Sequence, residues 1–475
     1  MPADELILAI DQGGGSTRAV TFTTEGTQVF LARVAVATQR GPDGRVEHDA
    51  SEVLNSMHRV IVDALRDAES RGAVITGAGL ATQRSSIVCW DRNSGVALTP
   101  VISWQDRRAA KLLAEYAPPD DTVSEITGLV RSPHYGASKM RWCIDNIPAV
   151  RQAQRSGTLM IGPLSSFLLF HLLQQHPACA DPANASRTLL WDRRSLDWSD
   201  ELLAAFGISR GLLPRCVPSQ HEFGVLRSTA VPLRVCTGDQ NAAIFAGGAI
   251  AQGTAYVNIG TGAFVLAQVA GMSAAPLLHS VAWSDGSSVL YVQEGTVNGA
   301  GAALASLGAT QPEIATAARQ IGADELPLFL NGVSGLGSPF WREHFTSRFI
   351  GSGSQRQKLA AVVESILFLL QKNIEILQQR TTLDVALVSG GLAGHDDLCQ
   401  ALADLSGLAV MRPDEAEATA RGLAFLSAGQ PGGWPAGKRQ QFCPRNNHTL
   451  RRRYDEWSRE MTMALDGTAA QVDNQ

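Results

Sequence analysis

The segment that decides the fold is Leu6-Ile7-Leu8-Ala9-Ile10-Asp11-Gln12-Gly13-Gly14-Gly15-Ser16, close to the start of the sequence. Its apolar run predicts a strand and its glycines predict a tight turn. The apolar residues at 19–22 predict a second strand, so the segment is typical of a β-hairpin. A third strand is predicted over residues 29–36. Apolar residues then recur with helical spacing over residues 51–71, which predicts an amphipathic helix.

A second copy of this pattern occurs in the other half of the chain. Residues 255–259 and 263–268 are strand-like, and Gly260-Thr261-Gly262 lies between them. A long amphipathic helix is predicted over residues 359–379. Two halves with similar openings indicate an internal duplication with a cleft between the halves. Because hairpins and helices alternate in both halves, we expect an α/β fold with mixed rather than purely parallel sheets.

Length and composition support two large domains. The chain has 475 residues, which is too many for one ordinary compact core. We place the two domains at residues 1–247 and 248–475. A hydrophobic content of 45% with 18% charged residues is typical of a folded globular protein and excludes wholesale disorder.

Charge and hydropathy limit the expected partners and compartment. The formal net charge of −5 gives no electrostatic reason to expect nucleic acid or a membrane as a partner. No apolar run approaches the ~20 residues that a membrane span requires, and we identify no signal peptide. The seven cysteines have no metal-ligand spacing and are expected to be reduced thiols. We therefore expect a cytoplasmic protein.

The two glycine-rich turns are candidates for binding a phosphate tail. Backbone N–H groups can approach phosphate oxygens where no side chain intervenes, and the turn at residues 11–16 is followed closely by the cation of Arg18. Either turn alone is better explained by the needs of a tight hairpin, but the same turn in both halves favours nucleotide binding. Both the P-loop and the dinucleotide fingerprint are incomplete, which disfavours a Rossmann oxidoreductase.

Asp239 is the leading candidate for a catalytic base. It follows a strand predicted over residues 233–236. A carboxylate at an exposed strand end can accept the proton of a substrate hydroxyl group as that oxygen attacks phosphorus. The alternative role is that of a helix N-cap, because a helix is predicted over residues 241–249. Asp11 also stands at a strand end, where it either organises Mg²⁺ through water or forms a turn.

Arg84 and Trp104 are candidates for holding a polyol or a sugar. Such ligands are commonly bound by bidentate polar contacts and an aromatic wall. Taken separately, a surface arginine and a core tryptophan are the more ordinary interpretations of these two residues.

The order of these motifs resembles that of the FGGY carbohydrate kinase family, and within it the chain is most similar to the glycerol kinases. The resemblance extends from residue 6 to about residue 455. The matching segments are Ala9-Ile10-Asp11-Gln12-Gly13 with Arg18, Val46-Glu47-His48-Asp49, Gln83-Arg84, Trp104-Gln105-Asp106-Arg107-Arg108, residues 139–142, Asn184-Ala185-Ser186-Arg187-Thr188, Leu196-Asp197-Trp198, Gly238-Asp239-Gln240, Gly260-Thr261-Gly262, Gly335-Leu336-Gly337 with Trp341, and Gly390-Gly391.

The resemblance implies an actin-like ATPase fold, in which two ribonuclease H-like domains close on ATP and a small polyol or sugar. It implies that Asp239 is the general base in an acceptor-binding first domain and that the second domain mainly binds the nucleotide. Asp11 and Asp239 are the implied neighbours of Mg²⁺. The implied nucleotide contacts are Gly14, Gly15, Ser16, Arg18, Thr261, Gly301, Gly391 and His395. The implied acceptor contacts are Arg84, Ser85, Trp104, His134, Asp239 and Gln240.

Four positions depart from the family pattern: Ser85, His134, His395 and Ala305, the last of which stands where the family has a glutamine. Ser85 stands where glycerol kinases usually have a glutamate, and His134 stands where they have a tyrosine, with Tyr135 beside it. His395 replaces an asparagine near the adenine. Losing a carboxylate and shifting a phenol changes which substrate hydroxyl groups find a partner. These departures make a longer polyol or a ketose an alternative to glycerol.

We therefore predict an ATP- and Mg²⁺-dependent kinase that phosphorylates a terminal hydroxyl group of a small polyol or sugar. The alternative is a non-catalytic sensor of the same fold that binds a nucleotide or a sugar, which the departures and the three glycines at 13–15 motivate. Formation of a homo-oligomer is possible.

Overall fold

The computed structural model describes residues 4–271, 276–414, 417–435 and 437–472. The strands are β1 (Glu5–Gln12), β2 (Ser16–Thr23), β3 (Gln28–Ala35), β4 (Gln39–Arg40), β5 (Val46–His48), β6 (Val74–Thr82), β7 (Ile87–Asp91), β8 (Val101–Ile102), β9 (Leu159–Pro163), β10 (Cys179–Ala180), β11 (Trp191–Asp192), β12 (Asp197–Trp198), β13 (Arg215–Cys216), β14 (Gln220–Val225), β15 (Pro232–Gly238), β16 (Thr254–Ile259), β17 (Ala263–Gln268), β18 (Leu278–Ser284), β19 (Val289–Val297), β20 (Leu328–Leu330), β21 (Arg348–Ile350), β22 (Val385–Ser389), β23 (Ala409–Pro413) and β24 (Arg439–Phe442).

The α-helices alternate with these strands. They are α1 (Ala50–Ser70), α2 (Ala110–Tyr116), α3 (Asp120–Thr127), α4 (Gly136–Asn146), α5 (Pro148–Arg155), α6 (Leu164–Leu172), α7 (Pro182–Ala185), α8 (Asp200–Phe206), α9 (Asp239–Ala243), α10 (Gly301–Ser306), α11 (Gln311–Ala318), α12 (Gln355–Gln378), α13 (Asp396–Ser406), α14 (Ala418–Ser427) and α15 (His448–Val472). Within the described ranges, no helix is both long and apolar enough to cross a bilayer.

The first large sheet has the strand order β14-β15-β6-β1-β2-β3. Strands β1, β2 and β3 form an antiparallel meander, which confirms the hairpin and the third strand predicted from the opening segment. Strands β6 and β15 then continue the sheet parallel to β1. The sheet is therefore mixed, as expected.

The second large sheet repeats this topology. Its order is β18-β19-β17-β16-β22-β23-β24. Strands β16, β17 and β19 form an antiparallel meander, and β22 and β23 run parallel to β16. The shared arrangement of three antiparallel and two parallel strands confirms the predicted duplication. Each sheet also carries one further antiparallel strand next to its last parallel strand, β14 in the first sheet and β24 in the second.

Apolar packing covers both faces of the first sheet. Helices α1 and α6 pack on one face, where the buried core includes Leu8, Met57 and Phe167. The opposite face packs against α9 and α14, and its core joins Phe22 to Phe425. Helix α14 thus covers the first sheet although it comes from the second half of the sequence.

The structure differs most from the sequence-based prediction at residues 241–249, where a helix was predicted. Helix α9 begins at Asp239 and ends at Ala243. The following N–H groups of Phe245 and Ala246 bond to carbonyls three residues earlier, so the backbone tightens into turns. Gly248 then takes a φ of 107°, which only glycine adopts readily. The small apolar residues of this segment are compatible with both a helix and turns, so the sequence pattern does not show where the helix ends.

Candidate active site

Three parallel strands of the first sheet end at one edge. Gln12 of β1 is in register with Thr82 of β6, and Thr82 is in register with Gly238 of β15. The segments that continue from these strands therefore emerge side by side, and they carry the glycine turn, Arg84 and Asp239. Ligands of open α/β sheets bind at the carboxyl ends of the strands.

Asp239 is the first residue of α9, and Gly238 occupies the N-cap position. The carboxylate is half-buried and accepts the backbone N–H of the neighbouring Gln240 at 2.7 Å. It makes no capping bond, which weakens the N-cap interpretation. Burial raises the pKa of Asp239 above its ordinary value, although the charge of Arg84 opposes this. A raised pKa makes the carboxylate a stronger proton acceptor.

Arg84 and Gln240, both predicted acceptor contacts, are brought together. Nη2 of Arg84 donates a hydrogen bond to Oε1 of Gln240, and Nη1 donates to Oδ1 of Asn241 at 3.2 Å. Ser85 follows in a left-handed conformation with a φ of 63°, which is uncommon for a residue with a side chain. The guanidinium group therefore lies beside Asp239 in a fixed orientation.

Trp104 and His134 form an aromatic pair with ring centroids 6.1 Å apart. Trp104 is 37% exposed, so it belongs to an open surface rather than to the core. Nδ1 of His134 lies 3.2 Å from Oγ of Ser132. Burial, with the nearby charges of Arg107 and Lys139, lowers the pKa of His134 to about 4, so the imidazole is neutral at pH 7.

Tyr135, the neighbour of His134, is buried in an ionic cluster that joins the two halves. Its hydroxyl group is hydrogen-bonded to Arg187, and Arg187 also donates to Glu294 of β19. Nη1 of Arg84 lies 3.6 Å from Oε2 of Glu294. Burial raises the pKa of Glu294, but the charges of Arg187 and Arg84 outweigh that effect and hold the pKa below its ordinary value.

Glu294 was missed by the sequence reasoning. The sequence feature that could have identified it is a carboxylate within the otherwise strand-like segment Val289–Val297. A charged side chain in a buried strand requires a partner of opposite charge. The partner, Arg187, lies on a different element and in the other half of the chain, and a local pattern does not reveal it.

The predicted phosphate turn of the first half is open to a ligand. Gly14 and Gly15 do not have positive φ angles, so the hairpin itself does not require glycine there. A Cβ atom added to Gly15 would meet no protein atom within 4 Å, and one on Gly14 would meet its first neighbour at 3.8 Å. Ser16, the first residue of β2, is buried. The backbone of Gly14 and Gly15 is therefore not covered by protein atoms on the side where a Cβ atom would point.

Asp11 and Arg18 face each other across the hairpin. Nη1 of Arg18 lies 3.2 Å from Oδ2 of Asp11 and 3.3 Å from Oε2 of Glu417. Burial and the charge of Asp239 raise the pKa of Asp11 to about 7, although Arg18 lowers it. The two carboxylates predicted near Mg²⁺ are thus close enough to repel each other.

The carboxylates suit a cation that is bound largely through phosphate and water. Oδ1 of Asp11 is buried and has no hydrogen-bond partner among the described residues. Mg²⁺ is usually held by one or two carboxylates together with water and substrate phosphates. The described ranges contain no group of three His, Cys, Asp or Glu side chains arranged to hold a metal ion.

The second half contributes the equivalent edge. Thr261 lies in the turn between β16 and β17, and its carbonyl accepts the N–H of Ala302 at 2.9 Å. A Cβ atom on Gly301 would lie 2.7 Å from the carbonyl oxygen of Gly260, so only glycine lets α10 begin against this turn. Gly391 follows β22 and is exposed. These three predicted nucleotide contacts therefore lie at strand ends of the second sheet.

His395 is set back from these turns. It precedes α13 and is half-buried, and its Nε2 is buried without a hydrogen-bond partner among the described residues. Burial, with the charge of Arg412, lowers its pKa. Gly394, the residue before His395, lines a cleft between the two halves of the protein, whereas His395 does not line it.

A cleft of about 650 Å³ runs between the two halves. Asp239 and Gln240 line it at the first sheet, and Asn258, Gly390 and Gly394 line it at the second. A volume of this size accommodates a ligand of several hundred daltons. The candidate base therefore lies at the wall of a cleft large enough for a nucleotide.

A chain of hydrogen bonds connects the phosphate turn to the acceptor side. Nε2 of Gln12 donates to the carbonyl of Gly13 at 2.8 Å, and Oε1 of Gln12 accepts from Nε2 of Gln83 at 3.3 Å. Oε1 of Gln83 accepts from Oγ of Ser86 at 3.2 Å, and that hydroxyl accepts the N–H of Trp104 at 3.0 Å. The two candidate subsites are thus mechanically linked.

Comparison with known proteins gives matches over most of the chain. The sequence model for the N-terminal domain of the FGGY family of carbohydrate kinases matches residues 6–252, and the model for the C-terminal domain matches residues 255–429. A glycerol kinase from Alkalilimnicola ehrlichii is 34% identical over an alignment of 486 positions, which covers 97% of this chain and 98% of that protein.

Solved structures share the fold. Plasmodium falciparum glycerol kinase with ADP superposes with a TM-score of 0.88 at 23% identity, over 98% of this chain and 99% of that one. Gluconate kinase from Lactobacillus acidophilus superposes with a TM-score of 0.85 at 17% identity, over 98% and 99% of the two chains. These likenesses confirm the expected two-domain α/β architecture.

Proposed function

The chain belongs to the FGGY family of carbohydrate kinases, and we propose that it transfers the γ-phosphoryl group of ATP to a terminal hydroxyl group of a small polyol or sugar. The observation that carries this proposal is the position of Asp239, a carboxylate with a raised pKa beside Arg84 at the wall of the cleft.

In the proposed step, the carboxylate of Asp239 accepts the proton of the substrate hydroxyl group. The freed oxygen forms a bond to the γ-phosphorus as the bond to the bridging β–γ oxygen breaks, and ADP leaves with that electron pair. Arg84 and Gln240, which are bonded to each other, orient the acceptor beside Asp239. Trp104 and His134 supply the aromatic wall.

The phosphate tail is proposed to bind between the two glycine turns. The open peptides of Gly14 and Gly15, the hydroxyl group of Ser16 and the cation of Arg18 face it from the first half, and Thr261, Gly301 and Gly391 face it from the second. Backbone N–H groups and cations stabilise the negative charge that spreads over the transferring group. Bound Mg²⁺, with Asp11 and Asp239 as neighbours, would neutralise part of the same charge.

The neutral imidazole of His134 and the short side chain of Ser85 support an acceptor that is not restricted to glycerol. Both residues leave hydroxyl groups of the acceptor to be satisfied by neutral partners. We therefore include polyols and ketoses of three to six carbons in the acceptor class. The cytoplasmic location and a homo-oligomeric state remain predictions from the sequence.

The test is a coupled assay of ADP release with ATP, Mg²⁺ and a panel of C3 to C6 polyols and ketoses. We expect at least one acceptor to stimulate ADP release. Asp239→Asn should fold normally, bind ATP and lose about 10²–10⁴-fold in kcat, the usual contribution of a general base.

Asp49→Asn is the control, because Asp49 caps α1 and does not line the cleft, and an asparagine keeps the cap, so kcat should be unchanged. Wild-type turnover in Asp239→Asn would remove Asp239 from the mechanism. ATP binding without acceptor-stimulated ADP release by the wild type would favour the sensor, an alternative that the family membership does not favour.

A further inference from the structure

We propose that Lys139 is a positioning residue that holds the three acceptor-side segments of the site in their mutual arrangement. The proposal rests on the proposed function, because it assigns Lys139 to the acceptor subsite of that reaction. Lys139 contacts neither the cleft nor Asp239, and it acts through the backbone of its neighbours.

The ammonium group of Lys139 uses all its donors on backbone carbonyls. Lys139 lies on α4 and is fully buried. Its Nζ donates to the carbonyl oxygens of His134 at 2.7 Å, Ser103 at 2.8 Å and Ser85 at 3.3 Å. An ammonium group has three N–H donors, so the three carbonyls saturate it.

Each of the three carbonyls belongs to a different segment that carries an acceptor-side candidate. Ser85 directly follows Arg84 in the turn between β6 and β7. Ser103 directly precedes Trp104 after β8. His134 lies just before α4 and faces the Trp104 ring. One side chain therefore fixes the relative positions of the guanidinium, the indole and the imidazole.

Packing alone does not explain a lysine at this position. Among the described residues, no carboxylate forms an ion pair with Lys139, although the charge of Asp106 is near enough to favour its protonated form. Burial opposes the charge of Lys139 and lowers its pKa, whereas the hydrogen bonds to three carbonyls favour the charged form with its three donors. A buried cation without an ion pair is unfavourable, whereas methionine would fill the same space. The requirement for three donors accounts for the lysine.

The test compares Lys139→Met with Arg453→Met in the coupled assay. Arg453 is the control for loss of a buried cation elsewhere, because it donates to the backbone carbonyls of Leu326 and Pro327 in the second half and also pairs with the buried Glu364. In Lys139→Met we expect the acceptor KM to rise at least tenfold and the KM for ATP to change less than twofold. Arg453→Met should lower the Tm and leave both KM values within twofold.

Equal changes of both KM values in Lys139→Met, or an unchanged acceptor KM, would overturn the proposal while an active wild type keeps the proposed function. If Lys139→Met does not fold, Lys139→Gln retains two N–H donors and should show a smaller, still selective rise of the acceptor KM. An unchanged acceptor KM in folded Lys139→Gln contradicts the proposal. A wild type without acceptor-stimulated ADP release overturns the proposed function and this proposal together.

Discussion

At the scale of single residues, the candidate site contains a buried carboxyl group, that of Asp11, whose ionisation is opposed by burial. Asp11 is only 3% exposed, and its pKa of about 7 lies well above the ordinary value near 4. The folded chain therefore binds the Asp11 proton more tightly than the unfolded chain does. It follows that the contribution of Asp11 to the free energy of unfolding falls as pH rises from about 4 to 7 and levels off above that range.

Asp11→Asn removes this pH dependence. In metal-free buffer, we expect the variant to gain stability relative to the wild type as pH rises, reaching roughly 1–3 kcal/mol at pH 8 after allowing for the lost bond to Arg18. Urea unfolding at pH 5 and pH 8 measures the difference. Asp91→Asn is the control, because hydrogen bonds, chiefly from Thr158, lower the pKa of that half-buried carboxylate to about 2. Equal stability changes for Asp11→Asn at both pH values would contradict the expectation.

The sequence was sufficient for residues at strand ends and insufficient for partners across the fold. Asp239 and Arg84 were found because an apolar run followed by glycine or polar residues marks where a strand stops. The pairing of Arg187 with Glu294 joins residues 107 positions apart. In the sequence, Lys139 stands out only as part of the matching segment at residues 139–142. Its role depends on three carbonyls, which a sequence does not specify.

At the scale of elements, the close crossing of α9 and α14 positions Asp239. A Cβ atom on Gly422 of α14 would lie 1.9 Å from the carbonyl oxygen of Ala242 on α9. The hydroxyl group of Thr419, also on α14, donates to the carbonyl of Asp239 at 3.3 Å. The short helix that carries the candidate base is therefore held by a neighbour that tolerates no side chain at the crossing.

Gly422→Ala should push the two helices apart. We expect a loss of roughly 1–3 kcal/mol in stability from overpacking, and a fall in kcat because Asp239 moves with α9. Thermal unfolding and the coupled assay measure the two effects. Gly432→Ala is the control, because an added Cβ there meets no atom within 4 Å. A normal kcat in a destabilised Gly422→Ala would show that α14 does not position the base.

Elements were predicted well where the pattern is local. The strands at residues 255–259 and 263–268 appear as β16 and β17 with nearly the same bounds, because a glycine turn limits both. The prediction of a helix over residues 241–249 was wrong because the small apolar residues of this segment suit a tight turn as well as a helix. The choice depends on packing against α14, which lies far along the chain.

At the scale of the whole molecule, Glu294 connects the halves at the acceptor side. Glu294→Gln would leave Arg187 and Arg84 without their shared carboxylate in a buried site. We expect a loss of about 3–5 kcal/mol in stability, as is usual when one partner of a buried ion pair is removed, and a raised acceptor KM through Arg84. Denaturant unfolding and the coupled assay are the measurements.

The matched comparison is Glu343→Gln at the rim. Glu343 pairs with Arg107 across the same two halves, but its side chain is 54% exposed. Exposed pairs contribute about 0–1 kcal/mol, so this variant should be nearly neutral. Similar losses in both variants would mean that burial of the Glu294 cluster is unimportant.

The placement of α14 also affects how the protein is made. A ribosome synthesises the strands of the first sheet early, but the helix that covers one face of that sheet ends only at Ser427. Domains generally fold in the order in which they emerge, and here one face of the earliest sheet stays without its covering helix until synthesis has passed Ser427. The nascent chain therefore exposes an apolar face until late in its synthesis, and during that interval aggregation competes with folding.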